Sequence, residues 1–230
     1  MNAIFGLSRV METRTTRCSS YGQREFLIRC DDSIPAPDVD WLVTLLENSV
    51  RDGQTYRDED TLQVGWMLNR VSSAKAGSIL LTEPDMISFP IKWIDGVTET
   101  LRQLRIQKDT AESLGLDAEM QIPTIRDSAL VGVDFARDPE NIVLERFEAV
   151  GNDSGWFIGY QNTRLDYNNP ENLTRVSLYV AAVQCPTVIP FLFLPCGTRV
   201  DREGHKLEFS LNGKTIGPRP GSFLKRLFHI

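Results

Sequence analysis

Histidine is scarce in this chain: there are two, His205 and His229. A serine or cysteine triad would have to recruit its imidazole from one of these, the second standing next to the C-terminal residue. Cysteine is nearly as sparse. Cys18, Cys30, Cys185 and Cys196 include no CxxC pair, which excludes a disulfide framework and a zinc-ligand pattern and leaves buried thiols in a reducing compartment as the expectation. No apolar run approaches the ~18 to 20 residues that span a bilayer. The segment 1–17 has a short apolar patch, Ile4-Phe5-Gly6-Leu7, without the long apolar stretch and small-residue cleavage site of a signal peptide. These absences together lead to the expectation of a cytoplasmic protein with no membrane association.

Several chemical signatures are also missing. Gly151-Asn152-Asp153-Ser154-Gly155 places its first glycine one position too early for a nucleophile elbow. Gly213-Lys214-Thr215 resembles the end of a phosphate loop, but the glycine required five residues earlier is Glu208. Asp58-Glu59-Asp60 has no calcium-loop pattern around it. Basic and aromatic residues are not interleaved as in single-strand binders. No catalytic residue, metal or cofactor is therefore expected.

What is present is ordinary globular material. Of 230 residues, 41% are apolar and 24% charged, and a chain of this size buries roughly 70% of its extended surface on folding. The net charge of −6 is unevenly placed. Residues 31–60 hold nine acids (Asp31, Asp32, Asp38, Asp40, Glu47, Asp52, Asp58, Glu59, Asp60) against Arg51 and Arg57, a local balance of −7. Such a segment repels nucleic acid and steers basic partners over distances set by salt. It also fits a solvated helix face followed by a polar loop.

Periodicity predicts strands at 24–30, 61–71 and 78–82 and helices at 37–50 and 94–114 in the first half. Pro37 and the aspartates after it suit a helix start, and Gly115 suits a C-terminal cap. Val97, Leu101, Leu104 and Ala111 line one face of the second helix. Beyond Pro123 the pattern restarts, with strands at 128–135, 142–148 and 153–160, a short helix near 168–175, an apolar segment at 177–183, a proline-rich turn of helix from Pro186, and late strands at 197–201 and 207–211. The reading is α+β: two small units, each a mostly antiparallel sheet with one or two packed helices. The expected divisions are a loose N-terminal tail (1–20), a first α+β domain (21–120), a second (121–212) and a basic tail (213–230) that is either loose or docked on an acidic surface.

The densest local signal is Asp153-Ser154-Gly155-Trp156, followed by Gly159-Tyr160. Asp and Ser cap turn amides, Gly permits positive φ, and Trp starts a buried strand. With Tyr167-Asn168-Asn169-Pro170-Glu171-Asn172, Val188-Ile189-Pro190-Phe191-Leu192 and Pro195-Cys196-Gly197-Thr198, this stretch resembles the domain-of-unknown-function family 2185, also called immunity-protein-33-like, over roughly residues 125–205. The resemblance implies a non-enzymatic bacterial antidote that binds and blocks a cognate toxin, often one delivered by type VI or contact-dependent secretion. It carries over no catalytic residue. Asp153, Ser154, Gly155, Trp156 and Gly197 are then fold markers. Toxin contact is expected instead at the acidic segment, through Asp31, Asp32, Asp38, Asp58, Glu59 and Asp60, with a basic toxin, such as a nuclease, as the partner. The other reading is a scaffold or small-molecule-binding module built on the same domain.

Overall fold

The computed structural model describes residues 9–74 and 77–228. The contacts divide the described residues into two compact units, those up to 85 with 90–102, and 86–89 with those from 103 onward. The division falls inside a helix, not near residue 120 where the periodicity weakens.

The first unit is a six-stranded sheet with one long helix. Its strands are β1 (Val10–Arg14), β2 (Phe26–Asp31), β3 (Thr61–Val64), β4 (Met67–Ser73), β5 (Ile79–Pro84) and β6 (Trp93–Asp95), in the order β1-β2-β5-β4-β3 with β6 also on β5. Helix α1 (Ala36–Arg51) follows β2. It buries Val39, Leu42, Leu46 and Val50, a 3-4 spacing that makes one stripe. The stripe joins Phe26, Ile28, Val64, Val71, Ile79 and Leu81 in the core. Every pair is antiparallel except β2 with β5.

Two expectations change here. Residues 10–14 are not a loose tail: β1 pairs with β2, Val10 opposite Asp31 and Arg14 opposite Leu27, and residues 1–8 lie outside the described part. The strand expected over 61–71 is a hairpin, because Gly65 sits at φ +60° and turns the chain between Val64 and Met67. Alternation survives the turn, which is why the period-two pattern alone reads through it.

Helix α2 (Thr98–Leu114) spans the division. Two backbone N–H groups at its start, those of Glu99 and Thr100, donate to the carboxylate of Glu83 at 3.0 and 2.7 Å. The second unit continues with β7 (Ser128–Gly132), β8 (Asn141–Arg146), β9 (Asp153–Tyr160), β10 (Leu173–Ser177), α3 (Leu178–Gln184), β11 (Thr198–Glu203), β12 (Lys206–Leu211), β13 (Lys214–Ile216) and α4 (Phe223–Phe228). The seven strands lie in the order β10-β7-β9-β8-β11-β12-β13, with β7 and β9 the one parallel pair. Ser177 caps α3 by accepting from Val180 N–H. Pro186 opens the 3-10 segment Pro186–Phe191, where the first residues have no acceptor within the helix and a missing N–H donor costs nothing.

The end of the chain is not a free basic tail. β13 extends the sheet through Phe209 opposite Ile216. Beyond it, Arg219 N–H donates to Ser113 O (2.8 Å), Leu224 N–H donates to Ser113 Oγ (3.2 Å), and Leu224 is fully buried. Backbone bonds to α2 and one buried leucine dock this segment.

Candidate functional site

β9 begins with the marker stretch, and each of its residues has a definite task. Asp153 accepts from Gly155 N–H at 2.9 Å through one carboxylate oxygen and pairs with Arg175 through the other. Ser154 is buried; its hydroxyl donates to Ser128 O at 2.8 Å, tying β9 to β7, and accepts from Trp156 N–H at 3.3 Å. Gly155 sits at φ +78°, and a Cβ there would lie 2.2 Å from Phe147 O, so only glycine lets the strand start this close to β8. Trp156 is 1% exposed and its indole N–H donates to Leu192 O at 3.2 Å.

The residue that binds these pieces together is Arg146, at the end of β8 and in register with Trp156. It is 3% exposed. Its Nη1 donates to Gln121 O (2.8 Å), Leu192 O (3.0 Å) and Leu194 O (2.6 Å), and its guanidinium lies 5.3 Å from the Trp156 ring centroid. Its own carbonyl accepts from Gly197 N–H at 2.8 Å. No carboxylate is within ion-pair distance of it among the described residues, and its Nε has no partner. Burial pushes its pKa down to about 10, leaving it charged at neutral pH. Carbonyl dipoles and an aromatic face thus hold this buried cation. Sequence reasoning missed Arg146. The signal was available: in β8, Ile142, Leu144 and Arg146 share one face, and the first two are fully buried.

The remaining markers are also packing devices. Gly197, at φ +83°, would place a Cβ 2.1 Å from Asn212 Oδ1. Gly159 and Gly132, on adjacent strands β9 and β7, make room for the Tyr167 ring, which a Cβ at either would approach to 2.7 or 2.4 Å. The Tyr167 hydroxyl donates to Asp134 (2.5 Å) and accepts from Tyr160 N–H (2.9 Å). Burial, and then the hydrogen bond to Asp134, push its pKa up.

Below the marker stretch is a pocket of about 370 Å³, lined by Gln121, Asp127, Arg146, Glu148, Asp153 and Cys196 among others. Asp127 is held by Thr124, whose N–H donates to it at 2.8 Å. Glu148, on the turn between β8 and β9, is exposed.

The acidic segment of the first unit does not form one face. Asp31 ends β2, Asp32 follows it, and Asp38 lies in the first turn of α1. Asp58, Glu59 and Asp60 precede β3, whose first residue Thr61 is opposite Arg70. β4 runs antiparallel to β5, and β5 parallel to β2. The start of β3 is therefore at the end of the sheet where β2 begins, and Asp31 and Asp32 are at the other. The 58–60 trio is also engaged locally. Asp58 accepts from Ser73 N–H (2.6 Å), Glu59 pairs with Arg70 (3.0 Å), and Asp60 accepts from Arg57 N–H (2.7 Å). Glu47 is an internal anchor instead, 5% exposed and bound to Thr16 N–H at 2.8 Å and to Arg17.

Among the described residues, no three His, Cys, Asp or Glu side chains cluster as metal ligands would, and no helix is long and apolar enough to cross a membrane. Residues 106–210 match the family model of the Imm33-like domain. Over that range the chain is similar to the Imm33-like family. That match covers the whole constellation around Arg146, from Gln121 to Gly197, and all strands from β7 to β11, with β12 but for its last residue. Neither the curated proteins nor the solved structures include a match to this chain.

Proposed function

We propose that this protein is a non-catalytic immunity protein that binds and neutralises a cognate antibacterial toxin in the producing bacterium, as one half of an effector–immunity pair of the type VI kind. The observation that carries this reading is the Imm33-like match over residues 106–210. The geometry of the marker residues supports it. The Ser154 hydroxyl is bonded on both sides to backbone, and Asp153 is committed to Gly155 and Arg175, which makes them parts of a scaffold rather than of a reaction. A basic toxin, such as a nuclease, suits the net charge of −6.

Within this reading, Asp31, Asp32, Asp38, Asp58, Glu59 and Asp60 act in encounter. Two acidic groups at opposite ends of one sheet suit long-range attraction better than a single contact surface.

The test is co-expression with the product of the neighbouring gene in a sensitive host, followed by co-purification. Rescue of growth with a stable complex is expected. Growth arrest despite soluble expression, with no complex, would overturn the immunity reading in favour of a scaffold or ligand-binding module.

A further inference from the structure

The β8–β9 turn combines features that packing of the domain does not require. Phe147 is 55% exposed and Val150 is 73% exposed. Between and beside them, Glu148, Ala149 and Gly151 line the 370 Å³ pocket, and Ile122, which is 50% exposed, lines it from the segment before β7. Ile122 thus lines the pocket, and Phe147 and Val150 are exposed on the turn whose Glu148, Ala149 and Gly151 form part of its wall; exposed apolar groups beside a concavity mark interaction surfaces.

The charge in the pocket decides what fits it. Asp127, Glu148 and Asp153 line it with one guanidinium, that of Arg146, and Asp153 is paired with Arg175, which leaves Asp127 and Glu148 as the acids facing Arg146. Arg146 is nine-tenths buried and its Nη1 points to three backbone carbonyls. The carboxylates are nearer to solvent, and among the described residues no ion pair or hydrogen bond engages the Glu148 side chain. A cation entering from outside meets these acids before it meets the arginine.

Resting on the immunity reading above, we propose that the toxin docks here. A lysine or arginine side chain of the toxin enters the pocket against Glu148, and apolar toxin side chains cover Phe147, Val150 and Ile122. The face lies within the Imm33-like domain, whereas the acids of the first unit contribute to encounter. Docking and steering are then separate in kinetics: the turn sets the dissociation rate, and the acidic segment sets the association rate.

The experiment measures binding of the neighbouring gene's product, prepared as an inactivated toxin, to the full-length protein and to Phe147→Ser, Val150→Ser and Glu148→Lys. Glu171→Lys, an exposed carboxylate on the turn before β10, is the charge-matched control. All four positions are at the surface, so melting temperatures should match the wild type. Affinity is expected to fall roughly tenfold or more for Phe147→Ser and Glu148→Lys, chiefly through faster dissociation, with Glu171→Lys unchanged. Wild-type affinity in the three turn variants, or an equal loss in the control, overturns the docking site while leaving the immunity reading intact. Failure of the wild type itself to bind overturns both.

Discussion

Gly155 and Gly151 are four residues apart, and both have positive φ, but their surroundings differ. A Cβ at Gly155 meets Phe147 O at 2.2 Å, whereas one at Gly151 meets nothing within 4 Å. Gly151→Ala should therefore cost only the left-handed backbone penalty of about 1 kcal/mol. Gly155→Ala adds a clash with backbone that cannot rotate away, and should lower the melting temperature several degrees further; thermal unfolding of the two variants side by side checks this. Two buried carboxylates of the first unit differ in a similar way. Burial pushes Glu47 up, but bonds from Thr16 and Arg17 outweigh it and hold its pKa below the ordinary value. Burial of Glu83 prevails over the bonds from Thr100 and Glu99 and leaves it raised. For Glu47, the depressed folded value means that its contribution is complete above the unfolded pKa of ~4.3 and is lost as pH falls through the folded one. Glu47→Gln should cost about 1–3 kcal/mol at pH 7, with the gap to wild type closing below about pH 4, as urea titrations at several pH values would measure. Glu83 has the opposite sign: its raised value removes stability as pH climbs from the unfolded pKa through the folded one.

At the scale of elements, α2 and the C-terminal segment show how much a helix face can conceal. The apolar stripe of Val97, Leu101, Leu104 and Ala111 is buried as its spacing implies, but so are Thr100, Gln103, Gln107, Thr110 and Ser113. Thr100 and Gln107 bond to other elements: Thr100 accepts from the Asn69 amide (2.9 Å), and the Gln107 amide donates to Ile189 O (3.1 Å). Polar residues at those spacings read as a solvated face, and only neighbouring elements show otherwise. The chain end is similar. Its bases suggest docking on an acidic surface, whereas Leu224 and two backbone N–H groups supply the attachment. Leu224→Ala should cost about 2–4 kcal/mol, as truncation of a buried leucine does, while Lys225→Ala, on the same short helix, should cost little. Chemical denaturation of both variants separates apolar anchoring from charge.

On the scale of the whole molecule, the net charge of −6 concerns the rate at which partners arrive. Neutralising one acidic group at a time tests whether both ends of the first sheet contribute. Asp32→Asn with Asp38→Asn changes the end where β2 finishes. Asp58→Asn, Glu59→Gln and Asp60→Asn change the other, and the amide oxygens can still accept from Ser73 and Arg57. Each set should slow association with a basic toxin a few-fold at low salt and flatten its dependence on ionic strength, leaving dissociation unchanged. Stopped-flow or biosensor rates at two salt concentrations provide the measurement.

The sequence by itself determined the α+β class, the positions of most strands, the apolar stripe of α1 and the marker stretch that carries the likeness to the Imm33-like domain. These are local properties: period-two and period-3.6 patterns, turn glycines and capping side chains act over a few residues. Tertiary structure alone decided that the acids at 31–38 and at 58–60 lie at opposite ends of one sheet, because β3, antiparallel to β4, runs in the same direction as β2, so that acids preceding one strand and acids finishing the other are kept apart. It also decided that Arg146 is the buried centre around which Trp156, Gln121, Leu192, Leu194 and Gly197 gather. Those partners lie as far as 51 residues away in sequence, and no local pattern records which carbonyls will meet a guanidinium once the strands have paired.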